Sequence, residues 1–468
     1  MEQQENELKD FDFDAAADSV QQVGLSDTFI STVSDMLDHR FDASVRELCL
    51  DMPASDAGEL ITKLDSNRRH ILIKTLGDEL DPEAFAYLDH EILNSLMEDM
   101  PSRQIAGIVN ALDSDDAIHL IENLDEDRRG DVLDLLRRNL RAVVEEGLTY
   151  PEESAGRLMQ HEFVAVPQFW TVGKTVDYLR AAANALPDTF HNIFIVDPMH
   201  RFIGTVTLSR VLCAQRGVKI DTLVDDEYVA IPVDMDRSDV ALIFSRKDLL
   251  SAPVIDDEGQ LLGVLTVDDI VDVIDEEAEK DILNLSGVSD SDIHHPVVST
   301  ANARFVWLAI NVLTALVSVS IINMFKDTIE KVVVLAALMP FVAGMAGNAG
   351  GQTLAVSVRA LATKDLSATN SGRVIVKECM VGLINGSLLG LMVGSIVYLW
   401  FHDLRLGLIM TAAMMMNLMA AGLAGAGIPL IMQRLGHDPA PSSSVFMTMI
   451  TDGIGFFSFL GLATWLLI

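Results

Sequence analysis

Cysteine and basic residues are scarce in this sequence. Only three cysteines occur among 468 residues, and they are widely spaced and odd in number: Cys49, Cys213 and Cys379. We therefore expect neither a disulfide framework nor a zinc site, and interpret all three as reduced thiols. The 33 lysines and arginines face 69 aspartates and glutamates, which gives a formal net charge of −36. Because so acidic a chain repels phosphate backbones, we expect no nucleic-acid partner and favour cations instead.

Signals typical of secreted proteins and of enzymes are also missing. The first ten residues are polar and acidic, without an apolar h-region, so no cleavable signal peptide is expected and the soluble part is predicted to be cytoplasmic. The sequence has no nucleophile with an accompanying base, no catalytic metal triad and no phosphate-binding loop. We expect a protein that is not an enzyme.

The charge is segregated along the chain. A mean hydropathy of +0.30 conflicts with a net charge of −36 in a single soluble domain. Residues 300–468 contain seven acids and nine bases, so a net charge of −38 lies in the first 299 residues. The sequence therefore predicts an acidic soluble half followed by an apolar half that contacts the lipid membrane.

Five apolar stretches are each long enough to cross a hydrocarbon core of about 30 Å as a helix. Their approximate bounds are 305–325, 332–358, 377–401, 406–433 and 442–468. With the N-terminus inside, six basic residues flank the inner ends and three flank the outer ends, as the positive-inside rule requires. We predict a multi-pass protein of the cytoplasmic membrane, with the N-terminus cytoplasmic and the C-terminus on the outer side.

The second apolar stretch contains a small-residue run from Pro340 to Gln352 that also includes Asn348. Close helix packing is one interpretation of such a run. A polar pathway is the better one, because a proline frees carbonyls and side-chain amides add oxygen, which membranes tolerate where the backbone lines a cavity. The run also holds Gly344 and Gly347. At Gly347 we expect backbones to approach closely and carbonyls to face the pathway.

The fifth apolar stretch carries a carboxylate, Asp452, about eleven residues from its start. Carboxylates at such depth usually mark ion or proton pathways. Ser444 and Thr448 precede it at four-residue intervals, which places two hydroxyls and the carboxylate on one helical face. The alternative is a protonated aspartate bonded to a neighbouring helix. In the fourth stretch, Asn417 is predicted either as an ion ligand or as a helix contact.

Two internal repeats organise the acidic half. In the first, the pattern Asp-Ala-x-x-Leu-Ile-x-x-Leu-Asp-x-x-Arg-Arg at 56–69 recurs at 116–129. Such repeats predict stacked amphipathic helices over residues 30–150, an all-α solenoid-like module suited to interaction or regulation. Residues 1–29 are predicted to be a loosely ordered acidic extension.

Each copy of the second repeat is predicted to form a strand, a turn, a second strand and a helix. Residues 194–207 match residues 253–266 at an offset of fifty-nine, and both copies keep a glycine in the hairpin. This pattern resembles a tandem pair of CBS domains over about 158–277. In that family a Gly-x-x-Thr-x-x-Asp pattern often holds nucleotide ribose and phosphate, and the second copy has it as Gly263, Thr266 and Asp269. The first copy has Arg210 in place of the aspartate. The resemblance implies one site for ATP or another adenosine nucleotide, with a purely structural pair as the alternative.

Eight acids crowd into residues 268–281, directly before the first apolar stretch. A charge run of this kind is often a solvated helix face. Like charges so close repel unless a divalent cation neutralises them, so the run could instead convert cation concentration into a conformational force. We place an acidic connecting helix and linker, shaped like a plug, at residues 278–303.

Taken in order, these parts resemble the MgtE family of magnesium channels and transporters. The resemblance implies a multidomain membrane protein: the helical N-domain, the α/β CBS pair, the connecting helix and a five-helix transmembrane domain at 304–468. It also implies a homodimer whose ten helices enclose one pore, with Asp452 binding hydrated Mg2+. Two alternatives remain open, a proton-coupled divalent-cation carrier that uses Asp452 as its proton site and a membrane-anchored sensor without transport.

The resemblance further implies control by cytoplasmic Mg2+. Metal bound between the N-domain, the CBS pair and the connecting helix would hold the pore shut. The sensor positions that it suggests here are Asp256, Asp268, Asp269, Asp272, Glu276, Glu277 and Asp281. Because Lys280 lies among these acids, the full ligand set of the family is not assumed.

Overall fold

The computed structural model describes residues 24–187, 189–225, 228–285, 297–367, 369–437 and 439–468. Residues 1–23 of the predicted extension and residues 286–296 of the predicted linker lie outside these ranges. The chain divides into two compact units, Met1–Ile274 and Asp275–Ile468.

Where it is described, the first unit begins with nine short helices. They are α1 Asp27–Asp38, α2 Asp42–Cys49, α3 Ala54–Lys63, α4 Ser66–Leu76, α5 His90–Asp99, α6 Ser102–Val109, α7 Ser114–Glu122, α8 Glu126–Leu133 and α9 Arg138–Gly147. Two 3-10 turns, Gly77–Glu79 and Pro82–Phe85, separate α4 from α5. Short polar residues start several of these helices: Ser26 accepts the Phe29 N–H and Asp65 accepts the Arg68 N–H.

The pattern that recurs after sixty residues is explained by the packing of its apolar positions. Its leucine and isoleucine positions lie in one buried core, in the first copy as Leu60, Ile61 and Leu64 and in the second as Leu120, Ile121 and Leu124. The last arginine of each copy turns back onto the preceding helix. Arg69 donates to the carbonyls of Ile61 and Thr62, both at 2.8 Å, and Arg129 donates to those of Glu122 and Leu124. These bonds satisfy carbonyls that a helix end leaves open.

Two three-stranded sheets follow, each with a parallel pair and an antiparallel hairpin. The strands are β1 Ala165–Pro167, β2 Asn192–Val196, β3 Phe202–Thr207, β4 Ile231–Pro232, β5 Ser251–Ile255 and β6 Leu261–Thr266. The accompanying helices are α10 Ala155–Leu158, α11 Val172–Ala181, α12 Leu208–Cys213 and α13 Arg237–Lys247. Both hairpins turn at an aspartate: Asp197 accepts the N–H groups of Met199 and Arg201, and Asp256 accepts those of Glu258 and Gln260.

The acidic run lies in a single helix, α14 Val267–Leu285, which begins directly after β6. Its first turns carry Ile270 and Val273, which are buried in the core of the second sheet. The acids lie between these apolar positions. The helix therefore starts eleven residues before the predicted connecting segment, and the boundary between the two units falls within it.

In its described residues, the second unit holds five helices long and apolar enough to cross a membrane. Their spanning parts are Thr300–Met324, Val334–Ala362, Ser371–Phe401, Leu404–Arg434 and Ser443–Leu467. The full elements are α15 Val297–Met324, the short α16 Lys326–Lys331, α17 Val334–Ala362, α18 Ser371–Phe401, α19 Leu404–Arg434 and α20 Pro439–Leu467. With the helical N-domain and the paired sheets, they confirm the predicted fold class.

Small residues set the spacing of the central membrane helices. Along α18, glycines recur every four residues at 382, 386, 390 and 394 and face α19. A methyl group at Gly394 would lie 2.6 Å from the carbonyl oxygen of Gly407. Such close backbone approach is the usual basis of helix association in membranes. Apolar side chains gain little there by moving from lipid to a helix interface, because the lipid tails are equally apolar.

Candidate functional site

The small-residue run of α17 presents a polar face. Its predicted pathway residues lie at four-residue intervals on the exposed side of the helix: Pro340, Gly344, Asn348 and Gln352. The opposite side is buried and consists of Val342, Ala346, Gly350 and Leu354. One helix thus separates an amide-bearing face from a packing face.

Within one chain, the described residues show no close backbone approach at Gly347. A methyl group there would have no neighbour within 4 Å in the described part of the chain, whereas one at Gly350 would lie 2.5 Å from the Met447 sulfur. The reason is the helical period: the positions that pack fall at 346, 350 and 354, and residue 347 is turned away from them. Sequence showed that the run was rich in glycine but not which glycine faced a neighbour.

We expect Gly350→Leu to lower the melting temperature of the detergent-solubilised protein and Gly347→Leu to leave it nearly unchanged. The leucine at 350 must displace Met447, and overpacking of this kind costs about 1–3 kcal/mol. The two variants add the same side chain three residues apart in one helix. Equal melting temperatures for them would contradict the packing that the structure gives to α17.

The hydroxyls and the carboxylate of α20 lie along one face, because the helix is continuous from Pro439 to Leu467. Thr448 donates to the carbonyl of Ser444 at 3.0 Å, so its oxygen lone pairs remain open to a ligand. Asp452 is half-buried and has no hydrogen-bond or ion-pair partner among the described residues. An ionised carboxylate at this depth needs water or a cation beside it.

Asn417 has a different position from the other pathway candidates. Its side chain on α19 is fully buried, and Nδ2 donates to the Val342 carbonyl of α17 at 3.0 Å. Gly455 of α20 packs against the same amide. This geometry favours the helix-contact interpretation, since the side chain joins three helices and does not reach an exposed face.

In the first unit, the N-domain helix α7 is bonded to the segment that precedes β1. Ser114, which is completely buried, donates its hydroxyl to Glu162 at 2.7 Å and accepts the His161 N–H at 2.8 Å. Arg157 forms a second link, 3.3 Å from Glu122 at the other end of α7. Because both pairs connect the helical repeats to the CBS pair, they define a docked arrangement of these two parts.

Carboxylates converge beside this contact. Burial raises the pKa of Asp116 on α7 to about 7, with Asp269 on α14 as the next cause. Burial likewise raises the pKa of Asp269 to about 6 and that of Asp115 well above its usual value. Oδ1 of Asp115 is buried without a hydrogen-bond partner. In the described ranges, however, no group of three or more histidine, cysteine, aspartate or glutamate side chains is placed to hold a metal ion directly.

The predicted sensor residues are divided among different surroundings. Asp256 serves the β5–β6 turn, and its counterpart Asp197 in the other copy does the same. Asp269, with Asp268 and Asp272 beside it, belongs to the carboxylate cluster. The remaining positions lie beyond residue 274 in the second unit: Glu276, Glu277 and Asp281, with Lys280 3.8 Å from Glu277.

Sequence reasoning missed Asp115 and Asp116 in this cluster. The available signal was the run Asp113-Ser114-Asp115-Asp116, four polar residues at the start of a helix. Acids there ordinarily stabilise the helix N-terminus, so the run carried no information about a partner in α14.

The candidate nucleotide pattern is formed by the end of β6 and the start of α14. Thr266 donates to Asp269, and Gln160 reaches the same carboxylate at 3.2 Å. Only glycine fits at Gly263, because a methyl group there would lie 2.7 Å from the Gln160 carbonyl oxygen. In the first copy Arg210 forms an ion pair with Asp225, so the two copies differ chemically.

Comparison with known proteins gives consistent matches along the chain. The MgtE family, described as a divalent cation transporter, matches residues 339–462, the MgtE intracellular N domain matches 52–153, and the CBS domain matches 220–276. A magnesium transporter MgtE of Thermus thermophilus is 35% identical over 71% of this chain and 74% of its own length. That of Enterococcus faecalis is 34% identical over 66% of this chain and 68% of its own. The cytosolic domain of the Mg2+ channel MgtE, solved in complex with ATP, is 27% identical over 52% of this chain and 99% of its own, with a TM-score of 0.48.

Proposed function

The chain belongs to the MgtE family of magnesium transporters, and from this membership we propose that it carries Mg2+ into the cell across the cytoplasmic membrane and closes when cytoplasmic Mg2+ is high. It is a multi-pass membrane protein. The observation that carries the proposal is the pair of exposed or half-buried polar faces in its membrane half, the amide-bearing face of α17 and the face of α20 that ends in Asp452.

Those faces cannot lie against lipid at low cost. Hydrocarbon offers no hydrogen bonds, so exposed amides, carbonyls and carboxylates in a span are placed where they meet water or protein. A second copy of the chain would enclose them in a water-filled pathway, which supports the homodimer with one pore. Each protomer would then contribute one Asp452 carboxylate.

The donor set suits Mg2+ in particular. Mg2+ gives up its water reluctantly and prefers oxygen ligands. The carboxylate of Asp452, the hydroxyls of Ser444 and Thr448 and the amides of Asn348 and Gln352 are all oxygen donors that can hold the ion through its waters. No thiolate or imidazole, which select softer metals, is among these residues.

Closure would depend on the cluster of Asp115, Asp116 and Asp269. The raised pKa values express the cost of burying these carboxylates, and then of placing them beside one another, when the N-domain is docked on the CBS pair. Mg2+ bound there, directly or through its waters, would remove that cost and favour the docked arrangement. Since α14 leads into the membrane half, the bound and free states would differ in the position of that helix.

Sidedness follows from charge. Basic residues are concentrated at the ends that would be cytoplasmic, among them Arg359, Lys364 and Arg373 around the α17–α18 connection. The soluble half would therefore face the cytoplasm, where the acidic cluster samples the internal Mg2+ concentration. The C-terminus would be on the outer side.

We also propose one adenosine-nucleotide site in the second CBS copy, formed by Gly263, Thr266 and Asp269. The hydroxyl and the carboxylate would accept a ribose, and Gln160 would have to leave them first. Because Asp269 also belongs to the acidic cluster, nucleotide and Mg2+ would act on the same side chain.

The test is Mg2+ uptake by the purified full chain in liposomes, measured with an internal Mg2+ indicator while pH and membrane potential are varied independently. We expect uptake that follows the potential and is insensitive to a proton gradient. Uptake that requires an opposing proton gradient would favour the carrier, for which the relevant observation is that Asp452 has no partner among the described residues. A correctly assembled protein without uptake would favour the sensor.

A further inference from the structure

A second carboxylate lies inside the membrane half, on α18. The side chain of Glu378 is only 13% exposed, and its Oε2 accepts a hydrogen bond from the Thr353 hydroxyl of α17 at 3.2 Å. Lys377 lies 3.5 Å from Oε1, but that lysine is 71% exposed. The buried bond of this carboxylate is therefore the one to Thr353.

The acceptor of the Thr353 hydroxyl is unusual for a membrane helix. Hydroxyls in membrane helices commonly return to a carbonyl of their own helix, as Ser357 does to Thr353 and Thr448 does to Ser444. Thr353 instead crosses to a side chain of another helix. Because its donor and acceptor are side chains of two different helices, this bond fixes α17 and α18 relative to each other.

Three helices, α17, α18 and α19, pack closely around this bond. A methyl group at Gly422 of α19 would lie 2.5 Å from the Glu378 carbonyl oxygen. One at Gly425, a turn further along α19, would lie 2.8 Å from the Gly350 carbonyl oxygen of α17. The two glycines allow α17 and α18 to pack against the same stretch of α19. The hydrogen bond between Glu378 and Thr353 then links α18 directly to α17.

We propose that Glu378 is a positioning residue for the ion pathway: by holding Thr353 it fixes the rotation of α17 about its axis. Gln352 adjoins Thr353 in sequence, and Asn348 lies one turn earlier on the exposed face. A rotation of α17 would move both amides together. This inference rests on the proposed function, because it assigns Glu378 a role at the same pathway.

The test compares variants that keep or remove the bond. Glu378→Gln keeps an acceptor and Thr353→Ser keeps a donor, whereas Glu378→Leu and Thr353→Val remove them. In liposomes, we expect the two removing variants to lose about tenfold in discrimination of Mg2+ against Ca2+ and the two conservative variants to remain within about threefold of wild type. The double variant Thr353→Val with Glu378→Leu should be no worse than either single one.

Thr411→Val is the matched control. It removes a hydroxyl bond between α19 and α18, from Thr411 to the Gly390 carbonyl at 3.0 Å, by the same chemical change. We expect it to lower the melting temperature without changing ion discrimination. If it changes discrimination as much as Thr353→Val does, the bond at Glu378 has only a structural role.

A labelling experiment keeps the inference separate from transport. With the three native cysteines replaced by alanine, the Asn348→Cys variant should react with a water-soluble thiol reagent, and adding Thr353→Val should change that rate severalfold while Thr411→Val does not. An unchanged rate, or a Glu378→Gln variant as defective as Glu378→Leu, would overturn the positioning role. Absence of Mg2+ uptake by the wild type would instead contradict the proposed function and leave the labelling result to decide the rotation.

Discussion

Asp452→Asn is expected to reduce Mg2+ uptake by about 100-fold or more in liposomes while the protein still assembles. The substitution keeps the shape of the side chain and removes its charge. A unit charge pair at 4 Å is worth about 4 kcal/mol at an effective dielectric constant of 20, and Mg2+ carries two charges. Because Asp452 has no other described partner, nothing else in α20 would replace the lost attraction.

Asp403→Asn provides the matched control for this result. Asp403 precedes α19 and accepts the N–H groups of Arg405 and Leu406 as a helix cap. Asparagine caps a helix about as well as aspartate, so uptake and melting temperature should remain near those of the wild type. Wild-type uptake by a correctly inserted Asp452→Asn protein would remove Asp452 from the pathway.

The parts of the fold predicted from sequence are those with a local signal. Length and apolarity alone locate a membrane helix, and the five spans were found to within several residues. The repeats were equally accessible, because each copy builds the same contacts. The last arginine closes a helix end in both helical copies, and Asp197 and Asp256 turn the two hairpins. Asp256, which the resemblance suggested as a sensor position, makes the same turn contacts as Asp197.

The parts that sequence could not give depend on contacts between distant residues. Glu378 and Thr353 are 25 positions apart and were indistinguishable from other membrane-flanking residues until α17 and α18 were side by side. Asp116 and Asp269 are farther apart still, and each has an ordinary local explanation at a helix start. The glycine run shows the same limit, since the side of α17 that packs depends on the neighbouring Met447.

Neutralising Asp116 and Asp269 together is expected to make the cytoplasmic half insensitive to Mg2+. Both pKa values are raised above the ordinary 3.8, so near neutral pH the docked arrangement carries a cost in its ionised form that is lost when the groups are neutral. The Asp116→Asn and Asp269→Asn double variant should therefore dock without Mg2+. Millimolar Mg2+ should protect the wild type from protease but leave the protection of the variant, already high, unchanged.

Uptake measurements should show the same change as the protease experiment: a variant that docks without Mg2+ should also be closed without Mg2+. The double variant should show low Mg2+ uptake even when internal Mg2+ is low, whereas the wild type conducts under that condition and closes as internal Mg2+ rises. Asp56→Asn is the control, because Asp56 occupies the position of Asp116 in the first helical repeat. Sodium chloride at matched ionic strength distinguishes binding from screening, since screening of exposed charges does not depend on the identity of the cation. If sodium chloride closes the wild type as well as Mg2+ does, or if the double variant retains normal Mg2+ dependence, this cluster is not the Mg2+ sensor.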